Sequence, residues 1–258
     1  MKKNFKILAL PALAAVFAIS LASCSDQYAG NYQEANEEQI TSFQQKVSDA
    51  EAYEAQNNSN LEITADVSGN VSAEGQSASM SMKYSMVNDF SDETKTLTYT
   101  NCNFSMSISG VSMTMKFDMW TDDTTAYLSY EEGMAGYTQK EKVKGSISSL
   151  SSYTSIIDAY KNMAEKYDLQ TVVEQLNKSG AKIYVDGDNK LKLEFTEQNV
   201  QVYIYVIFNA DNTYSMKVDM PEFNYSTSGI GMKMKMTVEI KPTGKTVTLP
   251  NASDFTQA

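Results

Sequence analysis

Apolar and polar side chains alternate with a period of two through most of this chain, and that pattern constrains its fold more than any other feature. Leu61, Ile63, Ala65 and Val67 share one parity, and polar residues occupy the positions between them. The same alternation recurs over 80–86, 104–108, 111–119, 191–195, 214–220 and 232–240, and Gly110 shifts the parity between the second and third of these runs, as a bulge or turn would. Since successive side chains of a strand point to opposite faces, the chain is predicted to form a sheet with one buried face.

Helical spacing replaces this period in two places. Asn36 and Gln39 have the arrangement of a capping box, and the apolar residues that follow at spacings of three and four predict a helix to about Ala55. In the middle of the chain, Ile156 to Tyr167 and Leu169 to Leu176 also have helical periodicity, with an N-cap at Asp168 between them. We therefore expect one N-terminal helix and a central helical insertion, formed by two helices or by one kinked helix.

The order of these elements predicts an α+β fold. Strands of similar length with short polar connections favour antiparallel pairing, and Thr246 to Leu249 is predicted as the final strand. We expect one large curved antiparallel sheet, a half-barrel, whose concave face carries the N-terminal helix and the central insertion. Residues 36–258 are predicted to form this single domain.

The N-terminus has the sequence of an export signal. A short basic stretch, Met1 to Lys6, precedes an apolar run that ends at Leu21-Ala22-Ser23-Cys24. This ending resembles the bacterial lipobox, which implies that residues 1–23 are a signal peptide and that Cys24 receives a diacylglycerol. Residues 24–35 are polar and are predicted to be a flexible tether. The protein is expected to be exported and lipid-anchored to the cell membrane or the outer membrane.

Composition argues against several functional classes. The chain has no histidine and no arginine, so it lacks an imidazole base, a His-bearing metal site and a guanidinium clamp. Its formal net charge of -11 disfavours nucleic acid as a partner. Cys102, the only other cysteine, is predicted to be a small packed residue. We expect a monomer without enzymatic activity, cofactor or metal.

Methionine is the most over-represented residue, with fifteen copies. Within each predicted strand most methionines share one parity, so they are expected to line one face of the sheet. That face is either a filled core under the helices or a cavity for an acyl chain; thioether binding of Cu(I) is a third interpretation, disfavoured by Lys233 and Lys235. The predicted ligand-binding residues are Met82, Tyr84, Met106, Met113, Met115, Phe117, Met216, Met232, Met234 and Met236.

The element order and the closing Thr246 to Pro250, a predicted strand that ends in proline, resemble the lipoprotein-carrier superfamily of LolA, LolB, LppX and LprG. The resemblance implies an unclosed β-barrel lidded by helices. It also implies a membrane-anchored protein that binds an apolar or amphipathic ligand such as a lipid or acyl chain. The alternative is an envelope protein-interaction or sensory-accessory domain with the same fold and a filled core.

Overall fold

A single sheet of thirteen strands forms the body of the protein. The computed structural model describes residues 26–57, 59–73, 76–92, 94–150, 168–178, 180–197, 199–227 and 230–258. The predicted signal peptide, Cys24 and the predicted helix from Ile156 to Tyr167 lie outside these residues. The strands are β1 Gln33–Glu34, β2 Leu61–Ala73, β3 Gln76–Asp89, β4 Leu97–Ile108, β5 Val111–Thr121, β6 Thr125–Met134, β7 Tyr137–Ser146, β8 Lys182–Asp186, β9 Lys190–Glu197, β10 Val200–Phe208, β11 Tyr214–Thr227, β12 Ile230–Pro242 and β13 Thr256–Gln257; the α-helices of the described residues are α1 Glu37–Asn57 and α2 Leu169–Asn177.

The strand order is β1-β8-β9-β10-β11-β12-β2-β3-β4-β5-β6-β7-β13. Neighbours pair antiparallel, except that β13 pairs parallel with β7. The order is linear from one edge to the other, and the sheet is curved and unclosed with its helices on the concave face. This confirms the predicted α+β half-barrel. It consists of two meanders, β2 to β7 and β8 to β12, joined through thirteen paired positions of β2 and β12.

Tight turns join the long hairpins of the first meander. Ser109 and Gly110 connect β4 to β5 with φ of 50° and 83°, and Ala135 and Gly136 connect β6 to β7 with φ of 52° and 87°. Two successive positive φ values match the right-handed twist of the flanking strands. The change of parity at Gly110 in the sequence is therefore a two-residue hairpin turn.

The concave face, here called the inner face, holds the core. One row of cross-strand neighbours runs through Val206, Met216, Ile240, Ile63 and Met86, all of which are buried. The helices complete the core with the buried residues Phe43, Val47, Ala50, Leu169, Val172 and Leu176. Full burial of each large apolar side chain contributes roughly 1.5–3 kcal/mol, so this face supplies most of the stability.

Both helices begin where their caps were predicted. The Asn36 and Gln39 side chains each accept a hydrogen bond from the other residue's backbone N–H, at 2.9 and 3.0 Å respectively, which completes the capping box. Asp168 caps α2 by accepting from the Thr171 N–H at 2.9 Å. A hydrogen bond of 2.9 Å from Gln44 to Asn177 joins the two helices. Helix α1 ends at Asn57, two residues beyond the predicted end.

Residues 26–35 are folded against the sheet, so the predicted flexible tether is wrong over this range. We call these residues the N-terminal strap. Tyr28 is only 3% exposed, and its ring lies 6.3 Å from that of Tyr205. Asp26 pairs with Lys217 at 2.9 Å, and β1 pairs with β8. The strap crosses the outer face of the sheet, opposite the helices, and the folded domain begins before residue 36.

The chain's last segment, residues 243–258, runs from the middle of the sheet, where Thr243 contacts Asn60, to the opposite edge, where β13 pairs with β7. Thr246 to Leu249 form no strand, so this prediction is wrong. The Val247 N–H instead donates a hydrogen bond of 2.7 Å to the carboxylate of Asp89. A side chain, and not the backbone of a neighbouring strand, therefore holds this segment. Beyond it, Phe255 packs against Trp120 and Tyr127 with centroid distances of 6.5 and 5.4 Å.

Gly69 lies opposite Met234 on the inner face. A Cβ at this position would come within 2.5 Å of the Met234 Cγ and 2.8 Å of the Lys233 carbonyl oxygen. We expect Gly69→Ala to lower the free energy of unfolding by about 1–3 kcal/mol, because backbone must shift to make room. Urea denaturation measures this. Gly244→Ala is the control, since its Cβ would meet nothing within 4 Å; equal stability of the two variants would contradict close packing at Gly69.

Candidate functional site

The predicted ligand-binding residues divide into two groups by burial. No more than 4% of each residue's surface is exposed in the group Met82, Tyr84, Phe117, Met216, Met234 and Met236. Met106, Met113 and Met115 are partly exposed. Met232 is placed by its backbone, which pairs with Val71, while its side chain lies outside the described part of the structure. The buried group is core. Among the predicted residues whose side chains the structure describes, the accessible ones are Met106, Met113 and Met115, near the hairpin that joins β4 to β5.

Four methionines form a row across neighbouring strands at that end of the inner face. Met80 on β3 pairs with Met106 on β4, Met106 with Met113 on β5, and Met113 with Met134 on β6. We call these four residues the distal methionine row. Directly opposed side chains of neighbouring strands have Cβ atoms about 4.5–5.5 Å apart, so the thioethers form one continuous surface. Its exposure increases from the partly buried Met80 to Met134, which is 55% exposed.

Exposed apolar residues at the hairpin tips extend this surface. Ile108 and Val111, which pair with each other, are 38% and 52% exposed, and Tyr137, which pairs with Met134, is 72% exposed. Contiguous exposed apolar surface of this kind marks an interaction or ligand site. Met134 and Tyr137 were not among the predicted site residues. The sequence feature that could have identified them is the alternation of faces along β6 and β7, which continues up to the turn at Ala135 and Gly136.

The distal methionine row is continuous with the core. Met80 and Phe104 pack against core residues. Phe104 pairs with Met115, and Met115 pairs with Glu132, so one carboxylate lies on the same face beside the methionines. Glu132 accepts a hydrogen bond of 2.7 Å from the Tyr130 hydroxyl. The site is thus an apolar surface with a carboxylate at one side.

Two cavities lie near the other meander. One, of about 370 Å³, is lined mainly by polar side chains, among them Gln175, Lys178, Lys182, Glu194 and Gln201. The other, of about 250 Å³, lies between α1 and the turns that flank β9 and β10, where Lys46, Asp49 and Asp188 contribute. Neither is lined by the methionine face, and neither has the apolar walls that a ligand with an acyl chain needs.

Cys102 is fully buried between Tyr84 and Phe117 on neighbouring strands. Burial raises the pKa of its thiol to about 12, so the thiolate that a nucleophile needs is scarce at neutral pH. Across the described ranges, no three His, Cys, Asp or Glu side chains are close enough to hold a metal ion. Neither described helix has the length and apolar character needed to cross a bilayer.

The fold and this surface define the class as an α+β half-barrel with an exposed apolar row on its concave face. No protein-family model matches the sequence, and no curated protein matches it. Among solved structures, the chain is similar to a DUF1329 family protein from Desulfovibrio piger, with 9% sequence identity over 83% of this chain and 98% of that chain. The TM-score of that pair is 0.21, too low to support an inference about fold or function.

Proposed function

We propose that this chain is a lipid-anchored, non-enzymatic envelope lipoprotein that binds an apolar or amphipathic ligand on the distal methionine row. The observation that carries this proposal is the exposed apolar surface formed by Met106, Met113 and Met134, which runs without interruption into the core. The lipobox-like sequence that ends at Cys24 supports the anchor. The unclosed sheet is also in keeping with the proposed relation to the LolA and LppX class of carriers.

Methionine suits an acyl ligand for a physical reason. Its unbranched, polarizable side chain adapts to irregular apolar shapes, and burial of each ligand CH₂ contributes about 0.8 kcal/mol. Ten methylenes would contribute roughly 8 kcal/mol before the entropy of association is subtracted. Glu132 beside Met115 would repel a carboxylate. The ligand class we propose is therefore an acyl chain with an uncharged or cationic head group.

Met113→Lys should weaken ligand binding while the domain stays folded. Met113 is partly exposed, so the lysine ammonium can reach water in the free protein, but a bound acyl chain would bury it at a cost of several kcal/mol. We expect the affinity for a fluorescent monoacylglycerol to fall at least about tenfold, which corresponds to 1.4 kcal/mol. Fluorescence titration measures the affinity, and thermal denaturation checks the fold.

The matched control is Ser112→Lys. Ser112 is the preceding residue of β5, is exposed and faces the outer side of the sheet, so this variant adds the same charge without touching the methionines. It should bind the probe like the unmodified protein. Undiminished binding by a folded Met113→Lys variant would refute the distal methionine row as the site.

A second function is favoured by the burial of Met216, Met234 and Met236. A core this well filled suits an envelope protein-interaction domain, in which the exposed row would contact another protein. Native mass spectrometry of the domain lacking residues 1–24, purified from membrane-containing cells, distinguishes the two. Copurified lipid supports the ligand-binding function, whereas absence of lipid together with no uptake of the monoacylglycerol supports the interaction domain.

A further inference from the structure

The described chain begins on the outer face of the sheet. Asp26 forms an ion pair of 2.9 Å with Lys217 on β11, and Gln27 donates a hydrogen bond of 3.0 Å to Glu239 on β12. Lys217 is only 8% exposed, which makes this pair better shielded from solvent than a typical surface ion pair. These contacts fix the point at which the N-terminal strap meets the sheet.

Cys24 precedes Asp26 by two residues. Two extended residues span at most about 7 Å. A diacylglycerol on Cys24 must be buried in the bilayer, so the membrane surface cannot lie far from Asp26. The anchor therefore constrains the orientation of the whole domain as well as its location.

We propose that the outer face around β10 and β11 rests on the phospholipid head groups of the membrane that holds Cys24. This inference depends on the lipid anchor of the proposed function. The outer face then has a role separate from that of the distal methionine row. The partner is a lipid surface because the lipidated end of the chain meets the sheet on this face.

The side chains on this face have the chemistry of a membrane interface. The ammonium of Lys192 lies 5.2, 4.9 and 5.8 Å from the ring centroids of Tyr184, Tyr203 and Tyr205. Tyrosine concentrates at the head-group level because its ring is apolar and its hydroxyl is polar. Lysine places its charge among phosphates while its stem covers apolar surface.

The charges on the outer face balance, so this face is not repelled by an anionic membrane. The chain as a whole is acidic, with a formal net charge of -11, which would repel an anionic leaflet. On this face, however, lysines and carboxylates are paired. Lys217 pairs with Asp26, Lys190 with Asp186 at 3.9 Å, Lys241 with Glu239 at 3.4 Å, and both Lys182 and Lys192 with Glu194 at 3.8 and 3.7 Å. Asp219 on β11, which accepts a hydrogen bond of 3.2 Å from the Thr237 hydroxyl, brings the carboxylates to five, equal to the five lysines. The face therefore approaches the head groups without a net repulsive charge.

This orientation determines what the inner face meets. The helices and the distal methionine row lie on the opposite side of the sheet from the strap, so they face away from the bilayer that carries the anchor. Ligand exchange would then occur with a partner in the aqueous compartment or on a facing membrane.

Site-specific tryptophan fluorescence on the full lipidated chain tests the orientation. Tyr203→Trp reports on the outer face and Tyr137→Trp on the exposed tip of β7, both in a Trp120→Phe background that leaves a single indole. In vesicles of phosphatidylethanolamine and phosphatidylglycerol containing lipid brominated near the head group, the tryptophan at 203 should lose most of its emission. It should also be protected from iodide, whereas the tryptophan at 137 should show the reverse.

A ten-residue Gly-Ser insertion between Ser25 and Asp26 provides the second measurement. Such a linker has an end-to-end distance of about 17 Å, so it should reduce the lipid quenching at 203. Equal iodide access at 203 with and without vesicles, in protein whose intact mass includes the acyl groups, would overturn the orientation and leave ligand binding untouched. A mass without acyl groups would overturn the anchor itself.

Discussion

Met234→Lys should strongly destabilise the domain, with a loss of about 4 kcal/mol or more in the free energy of unfolding. Met234 is 1% exposed and lies opposite Gly69, whose missing side chain leaves the space that the thioether fills. A lysine there would place an ammonium in the core without a carboxylate beside it, and its long stem cannot reach water as it could at Met113. Domains of this size are stable by only about 5–15 kcal/mol, so a large part of the total would be lost.

Urea denaturation followed by circular dichroism measures this effect. Met234→Leu is the matched control, because a swap that nearly conserves volume should cost less than about 1.5 kcal/mol. If Met234→Lys were as stable as the leucine variant, Met234 would have access to solvent and the assignment of β12 to the core would be wrong. The contrast with Met113→Lys would separate the structural methionines from those that we propose to bind ligand.

Asp89→Ala should release the C-terminal segment. The Asp89 carboxylate is 3% exposed and accepts hydrogen bonds from the Val247 N–H at 2.7 Å, the Ser91 N–H and hydroxyl at 3.0 and 2.6 Å, and the Asn60 amide at 3.1 Å. Its removal leaves buried donors without an acceptor, and we expect a loss of about 3 kcal/mol. Hydrogen exchange at the Val247 amide should accelerate along with the drop in stability.

Asp92→Ala is the control for this variant. Asp92 accepts similar bonds from the Thr94 N–H and hydroxyl at 2.9 and 2.6 Å, but it is exposed and holds only a local turn. Its replacement should change stability by about 0.5 kcal/mol or less. Equal effects of the two substitutions would show that Asp89 does not fasten the C-terminal segment.

The free energy of unfolding should also fall at acid pH because of Asp89. The hydrogen bond from the Ser91 hydroxyl, with those from the Val247 and Ser91 amides, lowers the pKa of Asp89 below its ordinary value, although burial opposes the shift. In the unfolded chain, an aspartate has a pKa of about 3.9. A carboxyl whose pKa is lower in the folded state stabilises the fold fully above that unfolded pKa, and this stabilisation is lost as the pH falls through the folded-state pKa. The Asp89→Ala variant should lack this part of the acid sensitivity.

The period of two in the sequence predicted the architecture because a sheet that buries one face requires apolar residues at alternate positions. The parity of Leu61 to Val67 and of Val111 to Met119 places the same residues on the inner face in the structure. Val200 to Phe208 are apolar at nearly every position, and the N-terminal strap covers part of the outer side of this strand, where Tyr28 and Tyr32 contact Tyr205. The caps at Asn36 and Asp168 are local interactions between neighbouring residues, which sequence reasoning can recognise.

Long-range contacts explain the predictions that were wrong. Residues 26–35 have no periodic pattern, and the partners of Tyr28 and Asp26 lie about 180 or 190 positions away at Tyr205 and Lys217. Thr246 to Leu249 have the composition of a strand, but the Asp89 side chain holds their backbone. Nothing in either segment indicates these partners before the sheet is assembled.

The candidate site was only partly predictable for a related reason. Alternation assigns a methionine to a face, but it does not show which part of that face the helices cover. Met216 and Met113 have equivalent positions in their strands' patterns, yet one is fully buried and the other is partly exposed. Which methionines are buried depends on where α1 and α2 cross the sheet, and those crossing points are set by the tertiary structure.

The pairing of β2 with β12 bears on how the chain folds as it is synthesised. A chain that emerges from its N-terminus first produces β2 to β7 as consecutive hairpins, but β2 remains an unpaired edge until β12 follows. Ile230 to Pro242 follow the end of β2 by more than 150 residues, so all of β3 to β11 must be synthesised before β2 and β12 can pair. Pairings this distant in sequence form slowly. Until then, the first meander presents thirteen residues of unpaired strand to any neighbouring chain, and a chaperone would have most to protect at that edge.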